Sequence, residues 1–227
     1  MSEQVGDFAP DLLGARIRRL RQDVGLSLTE VARRLGVSAS AVSQIETGVM
    51  APSVGRLVGI MGVLGLPLTT VFDQSVAPAV PQADGEAAAG EELRGVRVAR
   101  AGGAQTLGLD QGVVYRRLTP YPLPGTEFFE STYPPGAASG EEGDLLAHSG
   151  LETGVVTSGM LTFQFGDGEV ELSPGDAIHF VAAKPHRVVN RTGEVAVATW
   201  LTVGIPGGRT AGHGAPACAH GRVAPAG

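Results

Sequence analysis

Between Leu12 and Phe72 the apolar residues recur every three or four positions, whereas beyond Val96 they alternate with polar ones. The change of period predicts a helical first part and a strand-built second part. In the first, Leu13, Ile17 and Leu20 share one helical face and leave Arg16, Arg18, Arg19 and Arg21 mostly on others. Gly25 ends that helix. Ser27-Leu28-Thr29-Glu30 has the Ser-x-x-Glu form of a capping box and opens a second helix, whose apolar face is Leu28, Val31, Ala32 and Leu35. Gly36 suits a turn that needs positive φ, and Ser38 caps a third helix. In that helix Ala41, Val42 and Ile45 face inward, and Ala39, Ser40, Ser43, Gln44 and Thr47 face outward. A fourth helix starts after Pro52-Ser53 and a short fifth follows Pro67.

The second part predicts strands at 96–98, 113–118, 128–133, 153–157, 160–165, 169–172, 177–181, 187–190 and 195–203. Gly166-Asp167-Gly168 reads as a hairpin turn. Short strands broken by Gly and Pro imply a sandwich or barrel. The expected organisation is a disordered arm at 1–10, a helical unit at 11–74, a flexible linker at 75–94, a β domain at 95–204 and a disordered tail at 205–227. The linker is a Pro-, Ala-, Gly- and Glu-rich stretch without periodicity.

The run from Leu12 to Phe72 resembles the helix-turn-helix of the phage-repressor (XRE) family. Ala32, Gly36, Val42 and Ile45 stand at that family's spacings, and Ser43-Gln44-Ile45-Glu46-Thr47-Gly48 is similar to the end of its recognition helix. The resemblance implies an all-α, lambda-repressor-like fold of five helices that binds a double-stranded DNA operator. Ala39, Ser40, Ser43 and Gln44, with the capping Ser38 beside them, are the candidates for the base-facing set. The Gln44 amide, which both donates and accepts, suits adenine. Arg16, Arg19, Arg33, Thr47 and Arg56 are candidates for phosphate contacts. The competing reading is a plain helical bundle with solvated arginines.

A second resemblance lies in the β part. His148-Ser149-Gly150-Leu151-Glu152, followed by Gly159, is similar to the first cupin motif. Gly168, Pro174-Gly175-Asp176, Pro185-His186 and Asn190 are similar to the second. This implies an all-β double-stranded barrel with a central pocket. His148, Glu152 and His186 form a two-imidazole, one-carboxylate set suited to one divalent metal: Fe, Mn, Ni or Zn. The family commonly has a further His where this chain has Leu146. The alternative is a metal-free pocket in which the three residues hydrogen-bond a ligand. Tyr115 and Arg117, on one strand face, are further pocket candidates. Phe163, Phe165 and Trp200 fit core packing better, His179 should face out, and His213, Cys218 and His220 fall in the tail.

The combination resembles bacterial regulators that join an XRE helix-turn-helix to a C-terminal cupin sensor. It implies a non-enzymatic transcription factor, expected to be a repressor and a homodimer, whose barrel senses a small-molecule effector. The alternative is a non-haem iron oxidase or epoxidase with a helix-turn-helix domain, a phosphonate epoxidase being the known form. A third reading makes the metal itself the effector.

Composition narrows the setting. The net charge of −6 argues against a DNA-coating protein, but residues 11–73 hold seven arginines against five acids while 94–204 hold eight basic residues against twelve acids. DNA binding by local contacts fits that imbalance. A single cysteine and the lack of a signal-peptide pattern fit a cytoplasmic protein without a membrane segment.

Overall fold

The structure is a computed structural model and describes residues 10–72, 96–100 and 105–204. The expected arm except Pro10, which begins the first helix, the linker, and the whole tail with its His213–Cys218–His220 group lie outside them. Among the described residues no helix is long and apolar enough to cross a membrane.

Four α-helices form the first unit: α1 (Pro10–Asp23), α2 (Leu28–Leu35), α3 (Ala39–Glu46) and α4 (Val54–Leu64). The expected fifth is a single 3-10 turn, Leu68–Phe72. Its five residues are too few for a regular α-helix once Pro67 has removed one amide. The three internal starts are capped by serines: Ser27, Ser38 and Ser53 accept the backbone N–H of Glu30, Ala41 and Arg56 at 3.1, 3.1 and 3.2 Å. Only half of the capping box forms at Ser27. The Glu30 carboxylate turns away from it and accepts Arg33 and Arg34, because two charge-assisted bonds outweigh one to a backbone amide. Leu13, Ile17, Val42, Ile45, Leu57, Ile60 and Phe72 are the centre of this unit's core.

The second unit is two antiparallel sheets. One has six strands in the order β1-β2-β3-β9-β4-β7 and the other three, β6-β5-β8. The strands are β1 (Thr106–Gly108), β2 (Val114–Arg117), β3 (Thr126–Tyr133), β4 (Leu151–Ser158), β5 (Leu161–Phe165), β6 (Gly168–Leu172), β7 (Ala177–Val181), β8 (His186–Val189) and β9 (Ala196–Val203). Phe165 pairs with Gly168 across the Gly166-Asp167 turn, so the hairpin forms where its residues predict it. Residues 96–98 are not a strand. They are exposed and make no ladder, because Val-Arg-Val alternation needs a neighbouring edge to pair with. The outermost strand is instead Thr106–Gly108, too short to show a period.

The sheets close on each other through aromatic contacts, Phe163 against Trp200 at 5.5 Å and Phe165 against Phe180 at 5.4 Å between ring centroids. Gly154 sits beneath Trp200, where a Cβ would meet the indole ring at 2.5 Å or closer. Glu152, Gly154 and Val156 share the inward face of β4, so this close approach also fixes the depth of Glu152. Gly154→Ala is expected to cost about 1–3 kcal/mol by overpacking; its thermal midpoint, compared with the parent's, tests this.

The two units touch directly. The Gly55 N–H donates to the Ser139 carbonyl at 2.7 Å, the Asp110 N–H to the Pro52 carbonyl at 3.0 Å, and the Thr69 N–H to the Glu127 carboxylate at 2.8 Å.

Candidate functional site

The first candidate surface is α3. Ser38, Ala39, Ser40, Gln44 and Thr47 are exposed and Ser43 is half-buried, while Val42 and Ile45 anchor the helix from behind. The outward row therefore contains one long polar side chain, Gln44, among small ones, which lets the helix backbone approach a groove floor. Two hydroxyls already have local work: Ser38 caps, and the Thr47 hydroxyl donates to the Ser43 carbonyl at 2.9 Å.

The arginines divide. Arg19 is exposed, with a loose 3.8 Å contact to Asp23. Arg33 donates twice to Glu30, which is held down to about 2 by the hydrogen bonds from Arg33 and then Arg34. Arg56 is half-buried on α4. Arg16 departs from the phosphate-facing expectation: it is half-buried and its Nη2 donates to the Thr70 carbonyl, 3.4 Å away, across the core of its own unit. Arg21, which is not among the phosphate candidates, also turns inward. It is buried and grips Glu46 of α3 with two bonds of 2.6 and 2.9 Å.

The second candidate is a cavity of about 540 Å³ between the units. The barrel gives it His148, Glu152, His186, Glu127 and Tyr115; α4 gives Val58 and Met61. His148 lies in the loop before β4, not on the strand as its spacing from Glu152 suggests. The His148 N–H bonds back to the Ala182 carbonyl, and this returns the ring to Glu152. His186 opens β8, where its backbone pairs with that of Leu146 in both directions. Leu146 thus holds the triad by its main chain while its side chain lines the cavity.

His148 Nε2 lies 3.0 Å from one Glu152 oxygen and His186 Nε2 lies 3.9 Å from the other. One ligand atom from each of the three residues falls within 4.8 Å of the others. Both Nδ1 atoms are turned onto backbone carbonyls, of Ser149 at 3.1 Å and Lys184 at 2.9 Å. Those carbonyls can accept an Nδ1 proton, so each Nε2 either donates to Glu152 when it carries a proton or, without one, offers its lone pair to a metal. Burial pushes His148 down, but the Glu152 hydrogen bond and charge outweigh it and the net shift is upward. Burial dominates at His186, whose shift is downward despite Glu152. The donor set and its outer hydrogen bonds fit a divalent metal, which His148, Glu152 and His186 would hold and which would supply Lewis acidity at open positions facing the cavity.

Tyr115 is buried, stacks on Phe129 at 4.9 Å, and has its phenol pushed well up by desolvation. Arg117 is not in the cavity. It is buried with its guanidinium over the Phe72 ring, 5.8 Å from the centroid, at the contact with the helical unit. His179 faces out as its neighbours imply and meets the Thr153 hydroxyl at 2.7 Å. Glu127 carries no mark in the sequence: on β3 it alternates correctly with Phe128, and only the packing of the two units shows that it is buried.

Residues 12–71 match the helix-turn-helix domain family and residues 129–203 the cupin domain family. The HTH-type transcriptional regulator PuuR of Escherichia coli K12 is 26% identical over 182 residues, 78% of this chain and 86% of its own. A crystal structure of an HTH_3 family transcriptional regulator from Vibrio cholerae superposes with a TM-score of 0.60 at 23% identity, over 86% of this chain and 96% of its own, which shows the shared fold. The hydroxypropylphosphonic acid epoxidase of S. wedmorenis aligns at 18% identity and a TM-score of 0.40, covering 86% and 98%. These matches place the chain among the XRE-type helix-turn-helix transcriptional regulators with a C-terminal cupin domain. It is a DNA-binding protein of that class.

Proposed function

We propose that this protein is a homodimeric repressor that reads its operator through α3 and is controlled by a small molecule in the interdomain cavity. The observation that carries the reading is the shared wall: one cavity is lined by the cupin triad and by the helical unit that presents Gln44. An occupant therefore touches both halves, and its differential affinity for two arrangements of them shifts their populations. Ser40, Ser43 and Gln44 face base edges, and Arg19 and Arg56 face phosphates. Arg16 is released from this role by its inward bond.

A dimer interface is supported by the outer face of the six-stranded sheet. Phe128 and Leu201 are cross-strand partners there, as are Leu151 and Val181, and all four are exposed. A twofold axis through such an uncharged patch pairs it with itself.

The enzymatic alternative has less support. A phosphonate substrate calls for fixed cations, yet Arg116, Lys184 and Arg187 are engaged by Glu130, by Asp167, and by Gly140 with Gln164. Among the described residues the cation in the lining is Arg34, which donates to Glu30 at 2.7 Å.

A promoter footprint tests the reading. Gln44→Ala is expected to lose about 1–3 kcal/mol of discrimination at one base pair. Arg19→Ala is expected to weaken binding to all duplexes alike and flatten the salt slope by about one unit. An unchanged footprint and unchanged base preference with Gln44→Ala would remove α3 from the major groove.

A further inference from the structure

Glu127 is a buried carboxylate that belongs to the barrel but bonds to the helical unit. From β3 it accepts the Thr69 N–H at 2.8 Å, at the start of the 3-10 turn. That turn is fastened at its other side by Arg16 of α1, through the Thr70 carbonyl. Phe72, at the end of the turn, lies under Arg117 of β2. The same Glu127 lines the cavity that holds the metal-type triad, and it lies close enough to His148 for their charges to interact. A single carboxylate thus faces the cavity on one side and the backbone of the DNA-reading unit on the other.

We propose that Glu127 is the positioning residue through which the charge state of the His148–Glu152–His186 site reports to the helix-turn-helix unit. The inference rests on the cavity being the effector seat and adds the route out of it. A divalent cation at the triad adds positive charge to a poorly solvated region. The ionised form of Glu127 is then favoured over the neutral one, against the burial that pushes this carboxyl up. An ionised carboxylate accepts an amide hydrogen more strongly than a neutral acid does. The bond to Thr69 tightens, and with it the docking of the 3-10 turn, α4 and the segment that follows α3. Loss of the cation reverses the effect and frees the reading unit from its barrel.

The probe is Co(II) alone, added to the full chain without DNA. Its visible absorption reports occupancy of a site with nitrogen and oxygen ligands, and hydrogen exchange reports the Thr69 amide. One equivalent of Co(II) is expected to slow exchange at Thr69 by about threefold or more. Glu127→Gln, which keeps an oxygen acceptor but no ionisable charge, is expected to bind Co(II) with the same spectrum and show no slowing. His148→Ala, which leaves Glu127 in place, is expected to lose both the spectrum and the response. An unchanged or faster Thr69 amide in the cobalt-loaded parent overturns the proposal. A response retained in Glu127→Gln, or the absence of any cobalt spectrum in the parent, overturns it too. A failed promoter footprint is a separate result, because none of these measurements involves DNA.

Discussion

Glu46→Ala is expected to lower the stability of the helical unit by about 3–5 kcal/mol, the cost of leaving one member of a buried ion pair without the other. Arg21 stays behind with its Nε and Nη2 unpartnered, retaining only the Nη1 bond to the Leu26 carbonyl at 2.8 Å. The Glu46 hydrogen bond raises Arg21 above its ordinary value in the parent, and even without it a guanidinium is too basic to escape the loss by deprotonating. Glu46→Gln keeps one acceptor and should lose less. The double variant Arg21→Met, Glu46→Leu, which removes both charges and refills the space, should lie near the parent. Urea unfolding of the four proteins is the measurement. A single-variant loss below about 1 kcal/mol, the range of exposed pairs, would mean that water reaches the pair. The pair ties the end of α3 to α1, and its contribution is to the stability of the unit. DNA affinity should fall in proportion to the unfolded fraction and not beyond it.

That pair also shows where sequence patterns stop being informative. Arg21 and Glu46 each sit among polar residues on an amphipathic helix, where charges ordinarily face water, and no spacing rule joins positions so far apart in the chain. The caps at Ser27 and Ser38 were legible because a cap is a local bond over three residues. The inward set Val42 and Ile45 and the outward Gln44 were legible because one helix face decides them. The triad was legible as a list of residues, through motif likeness, but not as geometry. His148 comes to Glu152 by a loop that bonds to Ala182, and extended-strand spacing would have placed it otherwise. Arg117 was assigned the right strand face and the wrong neighbour. Alternation says only that Arg117 and Tyr115 point the same way. In the structure Tyr115 lines the cavity and Arg117 lies over Phe72. Glu127 and the wall from α4 were invisible for a related reason. Docking of two units joined by a linker is a long-range property, and neither unit's own period encodes it.

Glu152→Ala is expected to reduce divalent-metal affinity by on the order of 100-fold or more, since losing even an outer hydrogen-bond partner of a metal ligand commonly costs 10–100-fold. Glu152 brings the one negative charge to the set, with one oxygen to each imidazole. It sits on the inward face of β4, two residues from Gly154 under Trp200. Metal analysis after dialysis against a measured free concentration gives the affinity directly. Glu152→Gln should retain more binding than alanine, through its amide oxygen, but less than the parent. If Glu152→Ala retains the parent's metal, the ion is bound elsewhere. If the parent itself takes none at micromolar free Fe(II), Mn(II), Ni(II) and Zn(II), the imidazoles and carboxylate act as a hydrogen-bonding set for an organic effector. The two outcomes part on chemistry already present in the site. The upward shift of His148 comes from its hydrogen bond and charge interaction with Glu152, so without a metal the two remain hydrogen-bond partners in the cavity wall.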